Sequence, residues 1–141
     1  MSHFSNYLEE KIVESSLRGG TWPTISNIYI ALFTADPGET GAANEVNPAG
    51  TWTNYARIDA AVGGAIASGW SASADGVTSN AKTITFAANN GAADVTVTHI
   101  GIFDASTGGN MLYYAPLASS KTLKQGDVLS FGIGAITITV A

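Results

Sequence analysis

Apolar residues recur with the two-residue period of strands in several short stretches of this chain, and only near its start do they recur at helical spacing. Over residues 3–18, Phe4, Tyr7, Leu8, Ile12 and Ser15 fall near one face and predict one amphipathic helix within an N-terminal unit, residues 1–20. Ser2 stands where an N-cap hydroxyl could take a free backbone N–H. Glu9 and Glu10 lie toward the positive end of the helix dipole and Arg18 at its negative end. Gly19-Gly20 supplies a left-handed cap. Glu10 and Glu14, like charges four apart, point to a side turned toward solvent or a partner.

Beyond the helix the period changes to two. Residues 27–34 place Ile28, Ile30 and Leu32 on one face and Tyr29, Ala31 and Phe33 on the other, which predicts a strand buried on both sides. Further strands are predicted over 51–59, 66–70, 82–87, 94–103 and 128–140. Gly132 and Gly134 interrupt the last of these and mark a bulge or a close backbone approach. Residues 98–115 read as a central hairpin, with Ile100–Phe103 and Met111–Tyr114 flanking a loop closed by Gly108-Gly109-Asn110. Its second arm can continue past Pro116, a residue suited to an edge or strand end. Residues 35–50, with turn signals at Pro37-Gly38 and Asn47-Pro48, form a long loop or arm. It is either a surface loop or a segment that orders on a neighbour. With almost no second helix to carry crossovers, the strands should pair antiparallel. The predicted fold is mainly β: one antiparallel β-sandwich of about seven or eight strands with one N-terminal α-helix. Residues 1–141 form a single domain, a length that can bury a core without staples.

Composition changes this picture in one respect. Charged residues make up 12% of the chain, against the roughly 25% usual in soluble domains. A surface so sparse in charge suits coverage by other proteins, or reflects Thr- and Ser-rich outer strand faces. Net charge is −5, and the six basic residues form no run, so no nucleic-acid footprint is present. No apolar run reaches the length of a membrane span. Glu9 and Glu10 stand where a secretion signal would be apolar. There is no cysteine, and thus neither disulfide nor thiolate metal site.

Candidate chemistry is thin. His3 and His99 are the only histidines and fit no zinc or triad spacing. Asp104, Ser106, Thr107 and Asn110 bring four oxygen-bearing side chains onto the hairpin loop, 104–110. A hard cation would accept such ligands, but one carboxylate is few, and Asx- and Ser/Thr-turn bonding explains the same residues. Gly132-Ile133-Gly134 precedes no helix, and the carboxylates are dispersed. The expectation is no enzyme, no catalytic residue, no cofactor and no metal. Aromatic residues beside polar ones supply the candidate interface: Phe4, Tyr7, Trp22, Trp52, Tyr55 and Trp70.

Three segments, Phe4–Ile12, Asn27–Pro37 and Thr98–Tyr114, resemble small virion proteins of tailed bacteriophages, a family often labelled tail-fibre proteins that includes capsid-surface members. The resemblance implies a structural virion protein and carries no catalytic residues. The chain has no repeats and no heptads, unlike a long trimeric fibre. The reading is therefore a capsid decoration, or cement, protein that binds the outer head surface and stabilises the shell. Its partners would be the major capsid protein or other virion proteins, and copies of itself, with no nucleic acid and no membrane. The alternative is a tail-fibre or baseplate module that binds host glycan through Trp52, Tyr55 or Trp70, or binds a neighbouring tail protein.

Overall fold

A computed structural model describes residues 2–47 and 50–140. Pro48, half of one predicted turn signal, lies outside the described residues. Chain order is β1 (His3–Phe4), α1 (Asn6–Leu17), β2 (Tyr29–Phe33), β3 (Ile58–Asp59), a 3-10 turn (Ile66–Gly69), β4 (Val77–Ser79), β5 (Ile84–Thr85), β6 (Val95–Phe103), β7 (Met111–Leu123), β8 (Ser130–Phe131) and β9 (Thr137–Thr139). Five strands form one antiparallel sheet in the order β1-β7-β6-β2-β3. Two antiparallel ribbons, β4-β9 and β5-β8, complete a sandwich-like body that does not close into a barrel.

The period-two pattern of β2 explains the layering. Ile30 and Leu32 join Ile100 and Ile102 of β6 on the face covered by the ribbons, where Ile84, Phe86, Leu129, Ile136 and Ile138 meet them. Ala31 and Phe33 face the other way and pack with Phe103 and Met111. Residues 30–33 are all fully buried, as expected for a strand covered on both faces. The central hairpin is β6-β7, with a seven-residue connection between Phe103 and Met111. It sits inside the sheet, flanked by β2 and β1.

Several local expectations are corrected. The N-cap is Ser5, not Ser2: Ser5 Oγ accepts from Leu8 N at 3.2 Å and donates to the Met111 carbonyl. The helix starts late because His3 and Phe4 are taken by β7, opposite Tyr114 and Tyr113. Ser2 instead exchanges hydrogen bonds with the Thr139 backbone. At the other end Arg18 N and Gly20 N both donate to the Glu14 carbonyl, and Gly19 has φ +72°, the glycine cap the sequence predicts.

Over its described part, the 35–50 stretch folds back rather than projecting as an arm. Thr34 N donates to Asn44 O and Val46 N to Leu32 O, both at 2.9 Å, and Val46 enters the core. Within the fold-back Gly41 has φ +65°, and a Cβ there would lie 2.8 Å from Met111 Sδ. We expect Gly41→Ala to cost about 1–3 kcal/mol. Thermal melting checks this, and an unchanged midpoint would contradict the close approach.

The strand predicted over 51–59 shrinks to Ile58–Asp59. A turn joins Tyr55 N to Trp52 O, and it sends both rings inward despite their odd spacing. Residues 66–69 form a 3-10 turn, and Trp70 alone bridges to Asn80. In 128–140 the glycine break separates β8 from β9. Pro116 does not end β7. Val97 pairs with Lys121 and His99 with Pro116, so Leu117–Ser120 bulge opposite the single residue Thr98.

Candidate interaction surface

Three features stand out around the sandwich: a clamp at the loop end, an apolar groove, and a helix left largely uncovered. The clamp centres on Arg57, whose side chain is 7% exposed. Its Nε and Nη2 fork onto the two carboxylate oxygens of Glu45, both at 2.8 Å. Nη1 donates to the carbonyls of Ala105 and Gly108, at 2.9 and 2.8 Å. The guanidinium lies 3.6 Å from the Phe103 ring centroid. Tyr55 OH donates to Glu45 Oε1 and accepts from Leu32 N. One arginine thus ties together the fold-back, the 51–59 segment and the hairpin loop. Only a planar, forked cation satisfies that geometry.

Burial, and then the Glu45 carboxylate, push the Tyr55 hydroxyl well above the usual phenol range. Above about pH 10 the unfolded chain releases this proton while the folded chain keeps it, so stability is full below that pH and falls as pH rises past it. We expect Tyr55→Phe to flatten the alkaline limb of stability measured by urea unfolding. Equal alkaline slopes in both proteins would contradict it.

The hairpin loop bonds within itself. The Asp104 oxygens accept from Asn110 N at 2.7 Å and Asn110 Nδ2 at 3.0 Å, and Asp104 N donates to Asn110 O. These are the turn bonds that compete with a cation for the only carboxylate of the loop. Among the described residues no cluster of three His, Cys, Asp or Glu side chains could hold a metal ion. The groove, of ≈ 450 Å³, lies between the large sheet and the β4-β9 ribbon. Ile28, Trp70, Ile102, Leu112 and Ile138 line it, and its polar lining is limited to Ser73, Thr78 and Tyr113.

The six predicted interface residues divide. Trp52 and Tyr55 are core residues, 0% and 7% exposed, with Trp52 edge-on to Tyr55 and Tyr55 stacked on Phe86. They present no platform to a sugar or a partner, because the turn between them folds both rings under the β5-β8 ribbon. Trp70 is half-buried at the groove. Phe4 packs edge-on to Tyr113, and Tyr7 is half-buried with Lys11 Nζ 5.5 Å from its centroid. Trp22 is exposed, in a connection without helix or strand between α1 and β2.

The aromatic criterion missed two aliphatic residues. α1 buries only Leu8, while Val13 is 49% and Leu17 80% exposed. Glu10, Val13, Glu14 and Leu17 follow one line along the helix, away from the Leu8 face. Their spacing was visible in the sequence, because Val13 and Leu17 stand four apart and off the main apolar stripe.

Residues 3–139 match the Gp80 family, described as podophage GP4 fiber I protein gp80. The chain belongs to this family. Membership makes it a phage virion structural protein of the fibre type. No curated protein matches it. In this family member the motifs quoted above fall on the N-terminal unit, β2 and the β6-β7 hairpin. Those are the central strands of the large sheet and the helix docked at its edge.

Proposed function

We propose that this protein is a structural subunit of a podophage tail fibre, held in the particle by protein–protein contact through the uncovered side of α1. The observation that carries the reading is a helix that buries one side chain and leaves Val13 and Leu17 in solvent. Aliphatic residues exposed on a helix gain free energy when a partner covers them. The family description, fiber I protein, supports the tail. The role includes no catalytic step. Its dispersed carboxylates, and a groove lined mainly by apolar side chains, favour packing over chemistry.

Head decoration, with the same side clamping the major capsid protein, is the second reading. The sparse charge of the chain favours it, since such a surface suits coverage by a lattice. Quantitative mass spectrometry of separated heads and tails decides between them. The tail-fibre reading predicts enrichment in the tail fraction. Hundreds of copies on the heads would overturn it.

A further inference from the structure

Asn90 is the only asparagine of the chain that is followed by glycine. In such a pair the glycine has no side chain to shield its backbone nitrogen, so that nitrogen can close on the asparagine amide carbon. The glycine here is fixed by packing. Gly91 lies against Thr51, and a Cβ at Gly91 would run into Thr51 O and Oγ1. No larger residue fits the position, so the turn carries the reactive pair as a consequence of that close approach.

The same turn engages both reacting groups elsewhere. Asn90 is exposed, yet both ends of its amide are held: Nδ2 donates to Thr53 Oγ1 at 2.7 Å and Oδ1 accepts from Asn54 N at 3.3 Å. The Gly91 N–H, whose proton must leave before the nitrogen attacks, donates to Asn89 Oδ1 at 3.0 Å. Asn89 is itself fully buried. Its Nδ2 donates to the Ala93 and Leu123 carbonyls, its N–H donates to Asp127 O, and its carbonyl accepts from Gly126 N. The attacking nitrogen is therefore tied to an anchored side chain, while the amide is turned toward the 51–54 segment.

We propose that Asn90 is a latent self-modification site, which loses its amide when the 89–91 turn opens. The Gly91 nitrogen gives up its proton and bonds to Asn90 Cγ. The Cγ–Nδ2 bond breaks, and that nitrogen leaves as ammonia. Water then opens the five-membered imide at either carbonyl and leaves aspartate or isoaspartate at position 90. Isoaspartate puts an extra carbon into the main chain beside Gly91, which is wedged on Thr51, while Ala93 N donates to Thr51 Oγ1. Trp52 stands between the tie points Thr51 and Thr53, so the change loosens the segment that holds the buried indole. None of this depends on which surface attaches the chain to the particle.

Peptide mapping by mass spectrometry of the purified full chain, aged in mildly alkaline buffer, tests this by following the Asn90 peptide as amide is replaced by acid. The folded chain reacts more than about tenfold slower than the chain in guanidinium chloride, because the turn must open first. Thr53→Val removes the acceptor of the amide and speeds the folded reaction about fivefold, the effect of one ordinary hydrogen bond. Its rate in guanidinium chloride is that of wild type. Leu8→Val weakens the core beside the start of β7, whereas Asn89 bonds near its end, at Leu123. That variant leaves the folded rate unchanged, since local opening and not global unfolding frees the pair. A folded chain that reacts as fast as the unfolded one would overturn the proposal. So would a Thr53→Val rate equal to that of wild type, or a Leu8→Val rate raised as far as that of Thr53→Val.

Discussion

Replacing Arg57 by alanine should lower stability by about 3–5 kcal/mol, the range for removing one partner of a buried ion pair. The change strips the fork from Glu45, leaves the carbonyls of Ala105 and Gly108 without their donor, and uncovers the Phe103 ring. Glu45 is only 26% exposed and still accepts from Tyr55, so its charge stays where water reaches it poorly. In a domain of this size the loss corresponds to a fall in melting temperature of about 10 °C or more. Arg57→Lys should recover part of it. An ammonium keeps the charge but cannot fork onto a carboxylate and reach two carbonyls at once. The measurement is a denaturant titration of the three proteins. A loss under about 1 kcal/mol for Arg57→Ala would mean that the three segments hold together without the clamp.

Trp52→Ala should be as damaging, at about 3–5 kcal/mol. The indole is fully buried and packs edge-on to Tyr55, which stacks in turn on Phe86. Its removal opens a cavity beneath the β5-β8 ribbon. Trp52→Phe should cost far less, because the indole N–H has no hydrogen-bond acceptor to lose. Thermal melts of both variants check this. A Trp52→Ala protein that melts like wild type would place the ring at the surface and return it to the candidate binding residues.

The sequence carried the fold where its pattern was long and regular. β2 and the start of β7 are unbroken apolar runs and β6 begins with a regular alternation, and the structure places them at the centre of the large sheet. The helix was equally plain from its spacing and its glycine stop. What stayed hidden was tertiary. Ser2 and Ser5 are chemically equal as caps, and only the pairing of His3 and Phe4 with β7 selects Ser5. The 51–59 stretch alternates like a strand, but its tryptophan and tyrosine reach the core through a turn. The Arg57 clamp joins residues 12 and 48 or more positions apart, a relation no local period encodes.

The candidate surface was legible only in part. Aromatic residues near polar ones were the natural anchors to nominate, yet the rule cannot separate an exposed ring from one folded inward. It selected Trp22, which is exposed, together with Trp52 and Tyr55, which are buried. The aliphatic pair Val13 and Leu17 escaped it because leucine and valine in an amphipathic helix are read as core by default. Their exposure follows from how little of α1 meets the body: among the described helices and strands it packs on β1 and β7, and its first residue, Asn6, donates to Glu39 O of the fold-back.

The central claim is that this protein works by being covered, with α1 buried against another protein chain in the particle. Thiol labelling tests it directly, because the chain has no cysteine of its own. A Leu17→Cys variant, incorporated into phage, is exposed to a maleimide in the intact particle and, separately, as free protein, and the labelled fraction of this chain is read by mass spectrometry. The account predicts rapid labelling of the free protein and strong protection in the particle. Equal labelling in both would contradict it.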